Sequence, residues 1–215
     1  VLSILRQQQI KHQRQLSHER RLHHLAYYDS LTGLPNRQSF YENLEKFISL
    51  AKRGNYQAGV MFIDLDRFKR INDTLGHDYG DKVLQEVAVR LKESVRDSDI
   101  VARNYDVTNF NNEIARLGGD EFTLFLSHIE SAEETTAVTQ RILDSLSQPI
   151  KIDNYELTIT PSIGIAMYPE NGSTANELMK HADIAMYQAK EDGRRTFKFY
   201  SNTSNDRALE RLQLE

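Results

Sequence analysis

The chain has 215 residues, with 27 Lys+Arg against 31 Asp+Glu, a net charge of −4, and neither Cys nor Trp. That length can bury a real core as one large or two small domains, and the missing Cys excludes a disulfide scaffold and any thiolate zinc or iron–sulfur site, which fits a reducing, cytoplasmic environment. No window approaches about 18 uninterrupted apolar residues, the opening residues are too polar for a signal peptide, and the mild acidity argues against a nucleic-acid coat, so this segment is expected to partner neither membrane nor nucleic acid.

Residues 1–27 contain no Gly or Pro, and Arg6, Lys11, Arg14, Arg20 and Arg21 face the single acid Glu19. Good helix formers dominate, so one long helix is expected. Its sparse leucines (Leu2, Leu5, Leu16, Leu22, Leu25) cannot pack a core. It is either a solvated arm or a connector that pairs with its twin in a dimer, although its heptad is poor. From Tyr28 onward the pattern is globular. Asn36 can cap a helix whose apolar face is Phe40, Leu44, Phe47 and Ile48. AGVMFID (58–64) reads as a strand buried on both faces. Val83, Leu84, Val87, Ala88, Leu91 and Val95 recur at helical spacing. EIARLG and EFTLFLS flank Gly118-Gly119-Asp120 as a hairpin with a glycine turn. Ser131-x-x-Glu134 and Thr174-x-x-Glu177 open two further helices as capping boxes. The first carries Ala137, Val138, Ile142 and Leu146 and ends before Pro149. The second carries Leu178, Ala182, Ala185, Met186 and Ala189. ELTITPSIGIAMYP and FKFY (197–200) read as strands. The order predicts an α+β fold, one mainly antiparallel central sheet flanked by helices. The polar tail 202–215 is expected to begin a linker to another domain.

Chemistry concentrates at two strand ends. Asp64 and Asp66 close the buried strand, and Asp120 and Glu121 sit at the hairpin turn. Each acid alone would be a solvated turn residue. Together, on strands expected to be neighbours, they would repel one another unless a cation neutralised them. Oxygen ligands without His or Cys select a hard ion, Mg²⁺ or Mn²⁺, which keeps room for phosphate oxygens. The turn Asp66–Arg70 can offer backbone N–H groups to phosphate, with Phe68 in its path and Lys69 adding charge. Lys190 and Arg194, four residues apart around Gly193, either meet that phosphate or simply match a helix C-terminus.

These residues resemble the GGDEF domain family, the diguanylate cyclases. Arg116-Leu117-Gly118-Gly119-Asp120-Glu121-Phe122 carries the family signature. Asp29–Arg37 (DSLTGLPNR) is similar to its opening turn, and Phe62–Asp81 to its metal and guanine segment. Ser162–Ile165 and Ala182–Arg194 are similar to its C-terminal blocks. The likeness covers about residues 27–200. It implies a palm-like sheet with a ferredoxin-like core, as in nucleotidyl cyclases and polymerases, and the condensation of two GTP into cyclic di-GMP with release of two pyrophosphates. It implies that Asp64, the Leu65 carbonyl and Asp120 hold Mg²⁺, that Lys69, Lys190 and Arg194 meet the triphosphate, and that Asn72 and Asp81 read guanine. His77 would line the pocket, and Gly118 and Gly119 would admit the nucleotide where a Cβ would intrude. A carboxylate such as Asp81 accepts both N1–H and N2–H₂ of guanine, a donor pair adenine lacks; an acid there also suits a helix N-terminus. Asp64, Asp120 and Glu121 form the catalytic set, with the proton accepted by Asp120 or Glu121.

One GTP site per domain and a product made from two nucleotides imply a homodimer, with residues 1–27 setting the geometry of its halves beneath an upstream sensor. The cyclase domain is then expected at 28–201 and in the cytoplasm, with the cytoplasmic part of a membrane-bound sensor as one setting for it. Arg96 and Asp99 resemble the family's inhibitory RxxD site for the product. Here, however, Val101-Ala102-Arg103 is followed by an Asn-rich insert (about 104–114) before Ile114-Ala115-Arg116 repeats the phrase. The insert reads as a loop that can displace Arg96 and Asp99, leaving a surface Arg–Asp pair as the alternative. ALERLQLE is similar to the connector into phosphodiesterase (EAL) domains. The alternative to an active cyclase is therefore a catalytically silent GTP- or cyclic di-GMP-binding regulatory module.

Overall fold

The structure, a computed structural model, describes residues 11, 15, 24–95, 113–129 and 131–201. Most of the expected N-terminal helix, Arg96, Asp99, most of the insert and the tail lie outside the described residues. The elements are α1 (Arg37–Gly54), β1 (Gln57–Leu65), α2 (Phe68–Leu75), α3 (His77–Ser94), β2 (Glu113–Gly118), β3 (Glu121–Ile129), α4 (Ala132–Leu146), β4 (Ile150–Ile152), β5 (Tyr155–Leu157), β6 (Pro161–Tyr168), α5 (Ala175–Glu191) and β7 (Thr196–Phe199).

Five strands form one sheet in the order β2-β3-β1-β6-β7, and β4 and β5 form a separate hairpin. All neighbours in the large sheet are antiparallel except β6 and β7. The run β1–α3–β2–β3–α4–β6 with spatial order β2-β3-β1-β6 is a split βαβ, ferredoxin-like unit. The central strand explains the layering. Ala58 through Leu65 are buried throughout, because the two faces of β1 serve two cores. Met61, Ile63 and Leu65 pack with Val83, Val87 and Leu91 of α3 and Val138 and Ile142 of α4. Ala58, Val60 and Phe62 pack with Phe40, Leu44 and Phe47 of α1 and Leu178, Ala182 and Met186 of α5.

Capping sets where the helices begin. Asn36 Oδ1 accepts from the Ser39 amide at 3.0 Å. Thr174 Oγ1 accepts from the Glu177 amide at 3.2 Å, while Glu177 reaches back to the Ser173 amide at 2.8 Å. Ser131 occupies the N-cap of α4 without a side-chain capping bond. In its place, hydrogen bonds from its own amide and from Ser131 hold Glu133 below the usual carboxylate range. The expected turn after β1 opens a short helix, α2, and the helix expected from the Val83–Val95 spacing, α3, follows it after Gly76 (φ +92°), a conformation that favours glycine.

Candidate active site

The register of the sheet builds the acidic centre. Asp64 on β1 lies directly opposite Glu121 on β3 and opposite Ser162 on β6. Cross-strand partners have Cβ atoms about 5 Å apart, so the two carboxylates share one end of the sheet, on the α1/α5 face. The Leu65 amide donates to the Asp120 carbonyl at 3.4 Å, closing the hairpin turn onto the end of β1. From α5, Lys190 Nζ reaches Asp64 Oδ2 at 2.8 Å. From α1, Arg37 stands 3.8 Å from Glu121. Lys190 thus faces the acids and does more than match a helix terminus.

The electrostatics of this end are unfavourable without a cation. Burial pushes the Asp64 carboxyl above its ordinary value; Lys190 opposes the rise, and Asp120 and Asp66 add to it. Burial likewise raises Glu121, with Arg37 opposing and Asp64, Asp183 and Asp120 adding. A further acid, Asp183 on α5, is raised by burial, with Lys190 opposing the rise. Charged groups held against their preference mark functional centres. Oxygen donors of this kind, without His or Cys, suit a hard divalent ion, and in its absence Lys190 supplies the positive charge beside Asp64. Among the described residues no three His, Cys, Asp or Glu side chains form a ready metal cage.

Asp66 departs from the grouping of four acids. It is buried, and it accepts from Thr160 Oγ1 and Ser162 Oγ at 2.7 Å each and from the Arg195 amide at 3.1 Å. Arg194 Nε lies 3.9 Å from it. Its oxygens are committed to tying β1, β6 and the α5–β7 loop together. Phe68 also departs from expectation. Its ring is buried among the α3/α4 core residues, so only its backbone can face a ligand. Helix α2 begins at Arg67 in the left-handed region (φ +60°) without a side-chain cap, so its first amides have no helical acceptor.

Asn72 is half-buried on α2, and its Oδ1 is buried without a hydrogen-bond partner. A Cβ on Gly80 would lie 1.9 Å from that oxygen, so glycine beside Asp81 is what lets Asn72 seat. Lys69, His77 and Asp81 are exposed. Gly118 (φ +142°) and Gly119 (φ +52°) take conformations that favour glycine, but no protein atom lies within 4 Å of a Cβ built at either. The visible demand for glycine there is conformational. Arg116, in the motif before the glycines, braces that turn. It donates to the Gly119 carbonyl from Nε (3.0 Å) and Nη2 (2.7 Å), and its Nη1 reaches Asp29 at 3.0 Å. Burial would raise Asp29, but bonds from Thr32 and Arg116 outweigh it and hold the carboxyl low.

Residues 26–196 match the family model described as diguanylate cyclase, GGDEF domain. The bifunctional diguanylate cyclase/cyclic di-GMP phosphodiesterase MucR of Pseudomonas aeruginosa is 43% identical over 190 residues, 88% of this chain and 26% of that protein. The cyclic di-GMP phosphodiesterase NbdA of the same organism is 39% identical over 191 residues, 89% of this chain and 23% of that protein. The solved GGDEF domain of TpbB, also from Pseudomonas aeruginosa, superposes with a TM-score of 0.75 at 35% identity, covering 88% of this chain and all of that one. The chain therefore spans about a quarter of the first curated relatives it matches.

Proposed function

The chain belongs to the diguanylate cyclase, GGDEF domain family, and we propose that it condenses two GTP into cyclic di-GMP and two pyrophosphates as a homodimer. The observation that carries this reading is the pairing of Asp64 with Glu121 across β1 and β3, with Lys190 2.8 Å from Asp64. Phosphoryl transfer needs charge neutralisation and in-line positioning more than covalent help. Asp64, Asp120 and the Leu65 carbonyl would hold Mg²⁺ or Mn²⁺, which supplies Lewis-acid neutralisation of phosphate charge.

This chain's own groups do the rest. The first amides of α2, with Lys69, Lys190 and Arg194, take the triphosphate oxygens. Asn72 and the exposed Asp81 read the guanine edge, the Asp81 carboxylate accepting its N–H groups; His77 borders them. The 3′-oxygen of one GTP attacks the α-phosphorus of the other. The new O–P bond forms as the bond to the β-phosphate oxygen breaks, and pyrophosphate leaves with that electron pair. Glu121, whose proton affinity burial raises, takes the hydroxyl proton. Each domain presents one GTP to the other's hydroxyl, so two chains face each other.

Within the longer protein an upstream sensor would set the angle of the halves, and a downstream EAL domain would hydrolyse the product. Arg96 and Asp99 would bind cyclic di-GMP as an inhibitor. Incubation with GTP and Mg²⁺, followed by separation of the nucleotides, should yield cyclic di-GMP at a specific activity that rises with protein concentration. GTP binding without product would refute synthesis and favour a silent regulatory module, a reading supported by the 39% identity to a protein named as a phosphodiesterase.

A further inference from the structure

Beside the acidic centre, past Asp66, lies a cavity of about 560 Å³ between α2, the β4–β5 hairpin and the α5–β7 loop. Arg67, Arg70, Arg194 and Arg195 line it, and Asp66 is its only acid. On a chain with a net charge of −4 this is a local excess of positive charge, and it faces Thr74, Thr158 and Thr160 across the cavity. Its walls are strained. Among the described residues five non-glycine residues have positive φ, and three of them, Arg67 (+60°), Arg194 (+65°) and Arg195 (+48°), line this cavity. Such backbone persists only where the surroundings enforce it, and it gathers at ligand clamps. Here the enforcing group is Asp66, which is 7% exposed and holds the Arg195 amide at 3.1 Å while bonding Thr160 and Ser162. The buried carboxylate therefore ties the Arg194–Arg195 turn to the end of β1 and leaves the arginines that line the cavity incompletely neutralised.

We propose that this cavity is a diphosphate site, which receives the pyrophosphate expelled from GTP. The assignment rests on the proposed cyclase reaction for the source of its ligand. In-line displacement drives the leaving group away from the attacking hydroxyl, and Arg194 is common to the triphosphate residues and the cavity. A diphosphate presents several oxygens in the spacing that guanidinium forks and hydroxyls bind. Arg70 and Arg195 are exposed residues of the cavity outside the set assigned to the triphosphate, and their part is with the diphosphate. They set product affinity and release and leave GTP binding to other groups.

The test is titration of inorganic pyrophosphate into the intact chain by calorimetry, without GTP, on the parent and on Arg70→Ala/Arg195→Ala. The double variant should bind at least about tenfold more weakly, the loss expected for two charge-assisted contacts. Arg70→Glu, a single surface change, should weaken binding in the same direction if the double variant folds poorly. In turnover, pyrophosphate inhibition should weaken by a similar factor while the KM for GTP moves less than about twofold. Undiminished pyrophosphate binding in both variants overturns the proposal, even if the chain makes cyclic di-GMP. Arginine-dependent binding in a chain that makes none supports the site and refutes only the cyclase reading.

Discussion

Asp64→Asn is expected to abolish cyclic di-GMP synthesis, by on the order of 10³-fold or more, while the fold survives. The size follows from losing a charge that no neighbour can replace where transition-state charge must be neutralised. Asp66 is committed to Thr160, Ser162 and the Arg195 amide, and Glu121 is engaged by Arg37. Stability should move the other way. Asp64 is raised chiefly by burial, so the folded chain holds its proton more tightly than the unfolded chain does. That contribution is fully present below the unfolded carboxylate value and is lost as pH rises through the raised folded value. Near neutral pH and without divalent cation, the ionised buried carboxylate therefore costs stability that asparagine does not. Lys190, partly exposed, can return to water in the variant. Calorimetric scans between pH 4 and 8 should show the variant melting above the parent near pH 7. Added Mg²⁺ should raise the melting temperature of the parent alone. A variant that melts lower at every pH would show Asp64 to be a structural partner of Lys190.

Gly164→Ala is expected to be the most damaging conservative change in the core. A Cβ at Gly164 would lie 1.9 Å from the Ala182 carbonyl and 2.1 Å from the Met186 amide. Both are backbone atoms of α5, which cannot yield as a side-chain tip can. Moving the helix would unseat Leu178, Ala182 and Met186 from their core and displace Lys190 from Asp64. Overpacking of this kind costs about 3 kcal/mol or more, which for a chain of this size lowers Tm by about 6–12 °C. Gly33→Ala provides the contrast. Nothing lies within 4 Å of a Cβ there, and only its positive φ (+66°) penalises alanine, at about 1 kcal/mol. Equal losses in the two variants would mean that α5 is not held at close range by β6.

The same glycine shows how far a sequence can be read. Ser162-Ile-Gly-Ile marks a strand by its β-branched residues, but only the packed α5 explains why the third position carries no side chain. Elements with strong periods were legible. The Phe40/Leu44/Phe47 stripe, the apolar run of β1 and the Val83–Leu91 stripe each found the core their spacing predicted, because burial decides those positions. Helix α2 reads as a turn in the sequence, since eight residues with one buried side chain, Phe68, leave little periodic signal. Strand β4, with three residues, is silent for the same reason, whereas β5 falls at the start of the strand run ELTITPSIGIAMYP. At the site, Asp64 and Asp66 look alike in FIDLD. Their separation into a half-compensated acid and a hydrogen-bonded tether depends on Thr160, Ser162 and Arg195, about a hundred residues away. No local pattern encodes such a pairing. The role of Arg116 is legible locally, because a cation beside a glycine turn has carbonyls within its reach.

The most direct measurement is a crystal structure of the chain with Mg²⁺ and a GTP analogue whose α,β bridge cannot be cleaved. One cation should bind Asp64, Asp120 and the Leu65 carbonyl together with phosphate oxygens, with Lys190 withdrawn from Asp64 onto the triphosphate. A nucleotide bound with Asp64 still paired to Lys190, and no cation between Asp64 and Asp120, would contradict the account.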